Sequence, residues 1–185
     1  MRRTPPSLVL LSAVALAACH SQPSAVPTSA EAAPIGVLQV DGVTLTPGTL
    51  TCADLESLGA EDVVWTFRDV QHTYRAVPLD RLLSARGFEP GAGGKDVAPR
   101  DRRPGWRMVL RAHGSDGFFA VFTAAELMPQ QGPSRAYVAF ARDGAPLPAD
   151  EGPLRLVVPT DRSGSRCVRH LTRLHAIDMR AWSVR

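Results

Sequence analysis

Lysine is almost absent from this sequence: Lys95 is the only lysine among 21 basic residues in a chain of 185. The positive charge is therefore carried by guanidinium groups, which make planar, two-pronged contacts with carboxylates and phosphates. The sequence also has no internal repeat and no apolar run of the ~20 residues that a permanent membrane span requires. With 44% apolar and 21% charged residues, the composition is that of a globular protein.

The first 18 residues have the pattern of a secretion signal. Arg2 and Arg3 give a basic tip, an apolar run follows from Leu8 to Leu16, and small residues come next. We therefore expect residues 1–18 to be a signal peptide.

The segment LAAC at positions 16–19 resembles the bacterial lipobox. The resemblance implies that Cys19 is diacylated and becomes the first residue of the mature protein; the alternative is an ordinary signal cleaved nearby. His20 stands where an Asp would favour retention in the inner membrane. We expect a periplasmic protein with a lipid anchor in the membrane, and the outer membrane is favoured.

Export removes most of the apparent basicity. Without Arg2 and Arg3, the 21 basic residues fall to 19 against 18 acidic ones, a net charge of +1. The sequence then offers neither a strong field nor an array of aromatic and basic residues for a nucleic acid. We expect no nucleic-acid partner.

Two cysteines, Cys52 and Cys167, remain once Cys19 is acylated. The expected compartment permits disulfides. They could pair with each other, or each could be a separately buried thiol.

Residues 19–34 are rich in Ser, Ala and Pro and predict a flexible tether. The folded domain is expected over residues 35–185, long enough to bury one core.

Local patterns in this domain predict three short helices. Thr51 and Asp54 suit the start of the first helix. Pro78 suits the start of the second, which carries Leu79, Leu82 and Leu83 on one stripe and ends at Gly87. Thr123 and Glu126 form a capping box for the third.

The other segments alternate in the manner of strands, with a polar turn expected at 69–72. The rings of Trp65, Phe67, Trp106 and Phe119 stand at strand spacing and are expected in the core. The predicted fold is a mostly β, α+β domain with mixed sheets.

The order of these pieces resembles the oxidoreductase molybdopterin-binding domain of the sulfite oxidase family. The likeness covers about residues 37–178 and runs through VPLDRLLSARG, SDGFFAVFTAAELM and AYVAFARDGAPLP. Its most specific part is GPLRLVVP followed by GSRCVRHLTRL. The resemblance implies a sulfite oxidase-like fold and a phosphate-bearing molybdopterin as the possible cofactor.

The same resemblance marks candidate cofactor-binding residues in the late loop. Arg166 and Arg169 match basic residues that help to hold the cofactor, and Gly164 would permit close approach of the backbone. The alternative is that these arginines point into solvent beside a strand. Cys167 stands where relatives carry a bulky apolar residue, which favours a core or disulfide role.

In the enzymes of the family, a cysteine thiolate binds molybdenum from the loop after the strand that here reads VVWTFRDV. This segment carries Arg68, Asp69 and Gln71 but no cysteine. His72 lies nearby as a candidate replacement or as an ordinary histidine of a surface turn. We therefore assign no metal ligand, and molybdopterin is possible by resemblance only.

The export signal bears on the same question. A cofactor inserted in the cytoplasm requires export of the folded protein by the twin-arginine route, but Thr4 and two prolines follow Arg2 and Arg3. The general secretory route, which threads unfolded chains, fits better.

Two other constellations are weak. His113, Asp116 and His175 are a conceivable metal set without the spacing of a zinc site. Ser115 and Ser163 lack a nucleophile-elbow motif.

We expect a lipid-anchored accessory or binding module without catalysis. Its cavity would lie between the 68–75 turn, the 89–105 loop and the 160–170 loop, with Arg68 and His72 in the wall. The ligand would be a small anion, a pterin-like molecule or an acidic loop of an envelope protein. The rival hypothesis is an active oxidoreductase in which Cys167 or His72 binds the metal; a purely structural envelope protein would have no such cavity.

Overall fold

A computed structural model describes residues 36–88, 107–127 and 136–181. The signal peptide, Cys19, the tether, Trp106 and the 89–105 loop lie outside these ranges, so the predictions made for them stay predictions.

Ten strands and two α-helices make up the described chain, together with short 3-10 turns. In chain order they are β1 Val37–Gly42, β2 Gly48–Thr51, α1 Cys52–Ser57, β3 Glu61–Phe67, β4 Val70–Pro78, α2 Leu79–Ala85, β5 Met108–Gly114, β6 Phe119–Thr123, β7 Tyr137–Arg142, β8 Ala145–Pro146, β9 Arg155–Val157 and β10 Leu171–Asp178.

The strands form two five-stranded sheets. The first has the order β2-β1-β10-β5-β6, in which β1 and β10 are parallel and the other pairs antiparallel. The second has the order β3-β4-β7-β8, with β9 also paired to β7, and is antiparallel throughout. This mixed, strand-rich architecture confirms the α+β prediction.

One hydrophobic core draws on both sheets and on both helices. Leu79, Leu82 and Leu83 supply the buried stripe of α2, as their spacing predicted. At α1, Thr51 and Asp54 cap each other's backbone as a capping box. The described residues include no helix of the length and apolarity needed to cross a membrane.

Two local predictions were partly right. A short helix follows Thr123 and Glu126, which cap it as expected, but it is a 3-10 helix of three residues, Ala125–Leu127. The polar turn expected at 69–72 consists of Arg68 and Asp69, and residues 70–72 already belong to β4.

Candidate functional site

A cleft of about 650 Å³ opens between the β3–β4 hairpin, the β5–β6 turn and the 159–170 loop. This volume lies within the usual range for small-molecule sites. Four arginines, three aromatic residues, two serines, a glycine, an aspartate and a cysteine form its wall: Arg68, Arg155, Arg162, Arg169, Trp65, Phe67, Phe118, Ser163, Ser165, Gly164, Asp116 and Cys167.

The first wall comes from a tight hairpin. Phe67 pairs directly with Val70, so Arg68 and Asp69 form the whole turn, with φ of 50° and 65°. Two successive positive φ angles are the mark of a type I′ turn, whose twist matches that of the strands. The guanidinium of Arg68 lies 5.2 Å from the centre of the Phe67 ring, and both side chains line the cleft.

The second wall is the 159–170 loop, which is fixed at its end by backbone contacts. His170 has a φ of 48° and donates its N–H to Glu151 O at 2.8 Å. A Cβ at Gly152 would lie 2.5 Å from the His170 ring, so this position requires glycine. The loop therefore reaches the cleft in a defined direction and presents Arg162, Gly164 and Arg169 to it.

A buried charge network underlies the cleft. Arg155, 6% exposed, pairs through Nη1 with Glu151 Oε2 at 2.7 Å, and Glu151, 4% exposed, also pairs with Arg142. Arg155 Nη1 donates to the Tyr74 hydroxyl at 3.2 Å, and its guanidinium lies 5.1 Å from the centre of the Trp65 ring. These contacts hold Arg155 against the aromatic wall.

The structure separates the two arginines that the resemblance marked. Arg169 lines the cleft and is exposed, with a long contact of 3.7 Å to Asp150. Arg166 is not among the lining residues: it donates to both oxygens of Asp161 at 2.7 and 2.6 Å and to Glu126 at 3.2 Å. The hydrogen bonds to the Asp161 carboxylate raise the pKa of the Arg166 guanidinium above its ordinary value. Arg166 therefore connects the loop to the 3-10 helix that follows β6.

Of the remaining predicted residues, Gly164 and Arg68 line the cleft and His72 does not. A Cβ at Gly164 would stand 3.4 Å from the Phe67 ring, so the loop backbone lies close to the hairpin. The His72 Nδ1 is 2.6 Å from Asp143 Oδ2. This contact links the β3–β4 and β7–β8 hairpins. The main-chain N–H of Thr73, the hydrogen bond to His72 and the charge of Arg142 lower the pKa of Asp143.

Both described cysteines are free thiols, so the disulfide considered between Cys52 and Cys167 is not formed in the structure. Cys167 is 9% exposed and belongs both to the core and to the wall of the cleft. Burial raises its pKa above the ordinary 9.0, which outweighs the lowering by Arg155. Burial therefore disfavours the thiolate form of Cys167.

The electrostatic balance of the cleft is positive. Within the described ranges, Arg68 and Arg162 have no carboxylate partner, and Arg169 has only the long contact to Asp150. Asp116 is the one acidic residue among the described residues of the wall, and its Oδ1 accepts the Phe118 N–H at 2.9 Å. Such a surface favours an anionic ligand.

The wall fits the organic part of a phosphate-bearing pterin. It combines arginines, serine hydroxyls and aromatic surface, and two buried donors in it, Trp65 Nε1 and Arg155 Nε, have no hydrogen-bond partner among the described residues. An acceptor on a ligand that reached them would satisfy these donors.

The resemblance would place the ligating cysteine of the family's enzymes at the β3–β4 hairpin. Here the hairpin ends in Arg68 and Asp69, and the cysteine that the described residues bring to the wall is Cys167, on the 159–170 loop. No cluster of three or more His, Cys, Asp or Glu side chains suited to a metal occurs in the described ranges. His175 instead contacts Asp41 in the first sheet, away from Asp116 in the cleft.

Sequence reasoning missed several residues of the cleft. Trp65 and Phe67 were expected in the core, and Trp65 is indeed buried, but both also form the wall; Phe119, expected in the core, is 46% exposed. Arg155, within GPLRLVVP, was not singled out, although a charged residue in an otherwise apolar strand is a signal that could have revealed it.

Comparisons with known proteins agree on the fold. The family model described as oxidoreductase molybdopterin binding domain matches residues 36–184. No curated protein matches the chain. Among solved structures, the sulfane dehydrogenase SoxCD from Paracoccus pantotrophus is similar, with a TM-score of 0.53 and 21% identity. The match covers 77% of this chain and 38% of the SoxCD chain, and at this identity it shows the fold alone.

Proposed function

Because the chain belongs to the oxidoreductase molybdopterin-binding domain family, we propose that it is an exported, lipid-anchored binding module that uses the family's cleft without redox turnover. The observation that carries the proposal is the β3–β4 hairpin. Where the family's enzymes have a loop with a ligating cysteine, this chain has the turn Arg68-Asp69, which is closed by the pairing of Phe67 with Val70.

The chemistry of the cleft supports binding of an anion. Arg68, Arg162 and Arg169 bring three positive charges to it, and Asp116 brings one negative charge. The ligand would be a small anion, a pterin-like molecule or an acidic loop of an envelope protein. The cleft beside Arg169 supports a binding role over a purely structural one, for which we expect no such cleft.

The sequence supports export and anchoring. The basic tip and apolar run of residues 1–18 suit the general secretory route, and Cys19 stands in a lipobox-like segment. We propose a periplasmic location with the lipid in the outer membrane. An unfolded chain threaded by that route would not carry a cofactor inserted in the cytoplasm.

The second candidate is an active molybdopterin-dependent oxidoreductase with Cys167 as the metal ligand. One observation favours it: the Cys167 side chain belongs to the wall of the cleft, beside Arg155. If the metal were bound, its positive charge would stabilise the thiolate and the rise in pKa would not prevent ligation.

Elemental analysis decides between the two. The protein is purified from its native envelope, and molybdenum per chain is measured by mass spectrometry, beside the Cys167→Ser variant. We expect molybdenum far below stoichiometry in both. Stoichiometric molybdenum in the natural protein that is lost in Cys167→Ser would reject the binding-module proposal and establish the oxidoreductase.

A further inference from the structure

Arg68 and Arg162 enter the cleft from two different elements. Arg68 belongs to the β3–β4 turn, whereas Arg162 belongs to the 159–170 loop, where Arg169 also lies. Most other described arginines are held by carboxylates, for example Arg166 by Asp161 and Arg155 by Glu151. The β3–β4 turn and the 159–170 loop therefore each bring to the cleft at least one guanidinium group without a close carboxylate partner among the described residues.

Aromatic side chains line the same cleft as the arginines of the hairpin and of the 159–170 loop. Phe67 is half-buried, with Arg68 stacked on one side of it, and the centres of the Phe67 and Trp65 rings are 5.3 Å apart. Phe118, 45% exposed, adds a third ring from the β5–β6 turn. Exposed rings in a cleft favour a flat, apolar ligand body, since stacking adds to the gain from buried area.

We propose that the cleft binds an aromatic dianion, a flat ring system with two separate negatively charged groups, and that Arg68 is the residue that selects for the second charge. One charged group pairs with Arg162 and Arg169, the other pairs with Arg68, and the ring lies against Phe67 and Phe118. Arg68 thus gives the hairpin an anion-binding role in place of metal ligation. This inference rests on the proposed function, because it assigns the hairpin end of the cleft to an organic anion.

Three small probes separate the contributions of charge and ring. Terephthalate has a benzene ring with a carboxylate at each end, benzoate has the ring with one carboxylate, and trans-cyclohexane-1,4-dicarboxylate has both charges without the aromatic ring. Isothermal titration calorimetry on the purified mature protein at low salt gives each affinity. We expect terephthalate to bind about tenfold more tightly than benzoate, the effect of one charge-assisted contact. The cyclohexane probe should also bind more weakly than terephthalate.

Variants assign the effect to residues. Arg68→Gln should lower the affinity for terephthalate about tenfold and bring it close to that for benzoate. Arg162→Gln should weaken both aromatic probes. Phe118→Ser should reduce the preference for terephthalate over the cyclohexane probe. Arg81→Gln is the matched control: it removes the same charge outside the cleft, where Arg81 contacts Gly59 and Glu61, and should leave all three affinities unchanged.

Circular dichroism and melting temperature confirm that each variant is folded before titration. The inference is overturned if no probe binds, if benzoate equals terephthalate, or if Arg81→Gln weakens terephthalate as much as Arg68→Gln does. The molybdenum measurement tests the proposed function separately. Stoichiometric molybdenum would refute the proposed function. If molybdenum is absent and the three probes bind equally or not at all, only the dianion inference is refuted.

Discussion

At the scale of single residues, arginines that are close in the sequence make different contacts and therefore have different roles. Arg166 and Arg169 are three positions apart, yet one is neutralised by Asp161 and Glu126 while the other lines the cleft. Arg155 is buried and serves the packing of Trp65 and Tyr74. A guanidinium that is already held by carboxylates costs more to recruit for a ligand than one without a partner.

Glu151 is the residue on which the buried network depends. Glu151→Gln leaves the guanidiniums of Arg155 and Arg142 without their shared negative charge, and a buried charge without its partner is strongly unfavourable. We expect the free energy of unfolding to fall by about 3 kcal/mol in urea titrations followed by fluorescence. Glu56→Gln, which breaks the exposed pair with Arg75, is the control and should change little. Equal small effects would show that the network does not stabilise the fold.

The lowered pKa of Asp41 predicts that the protein loses stability in acid. Burial raises the pKa of this carboxyl, but hydrogen bonds from Arg173 and His175 outweigh it, and the folded-state value lies below the ordinary 3.8. The stabilisation is therefore complete above 3.8 and is lost as the pH falls through the folded-state pKa. Urea midpoints at about pH 6 and about pH 3 should differ less in Asp41→Asn than in the natural protein. The exposed Asp62→Asn serves as control; a pH response in Asp41→Asn as steep as the natural one would refute the assignment.

At the scale of elements, the β3–β4 hairpin connects fold and function. Its strands pair without a break from Glu61 and Ala76 to Phe67 and Val70, which leaves two residues for the turn. Neither residue is glycine, although both have positive φ. The short turn places Arg68 in the cleft and leaves no residue between it and β4 except Asp69.

The turn provides a test of this geometry. Asp69→Gly should stabilise the protein by about 0.5 kcal/mol, because glycine adopts positive φ without the steric cost that other residues carry, less its greater entropy loss on folding. Asp69→Ala should destabilise it, since alanine has the steric cost without a local polar side chain. Melting temperatures of the two variants measure the effect. Identical values for both would show that Asp69 does not hold a left-handed conformation.

At the scale of the whole molecule, the two sheets share one core, and the cleft lies where loops from both sheets meet. The β5–β6 turn belongs to the first sheet and the β3–β4 hairpin to the second. The cleft is therefore a property of the assembled domain. The proposed anchor adds the membrane as the surface to which this domain is tied.

The anchor is tested by fractionation. Cys19→Ser removes the thiol that the lipobox resemblance marks for acylation, so the protein should be absent from the membrane fraction. Immunoblots of separated envelope and soluble fractions measure this. Cys52→Ser, which changes a thiol of α1, is the matched control and should leave the membrane association unchanged. Retention of Cys19→Ser in the membrane would contradict the lipid anchor.

The sequence by itself determined the elements that depend on local patterns. The capping residues Thr51 and Asp54 and the leucines of α2 predicted two helices, because capping and amphipathic spacing act within a few residues. The order of the motifs was enough to indicate the family. The first half of β4 was missed, since its polar residues, such as Gln71 and His72, read as a turn until β3 is placed beside them.

The tertiary structure alone decided which side chains form the site. Arg166 is held by Asp161, five positions away, and by Glu126, 40 positions away, and the folded loop brings both carboxylates to it. Trp65 and Phe67 had the spacing of core residues, and only the approach of the 159–170 loop made them the wall of a cleft. The shape of the cleft is set by contacts between segments distant in the sequence, so no local pattern encodes it.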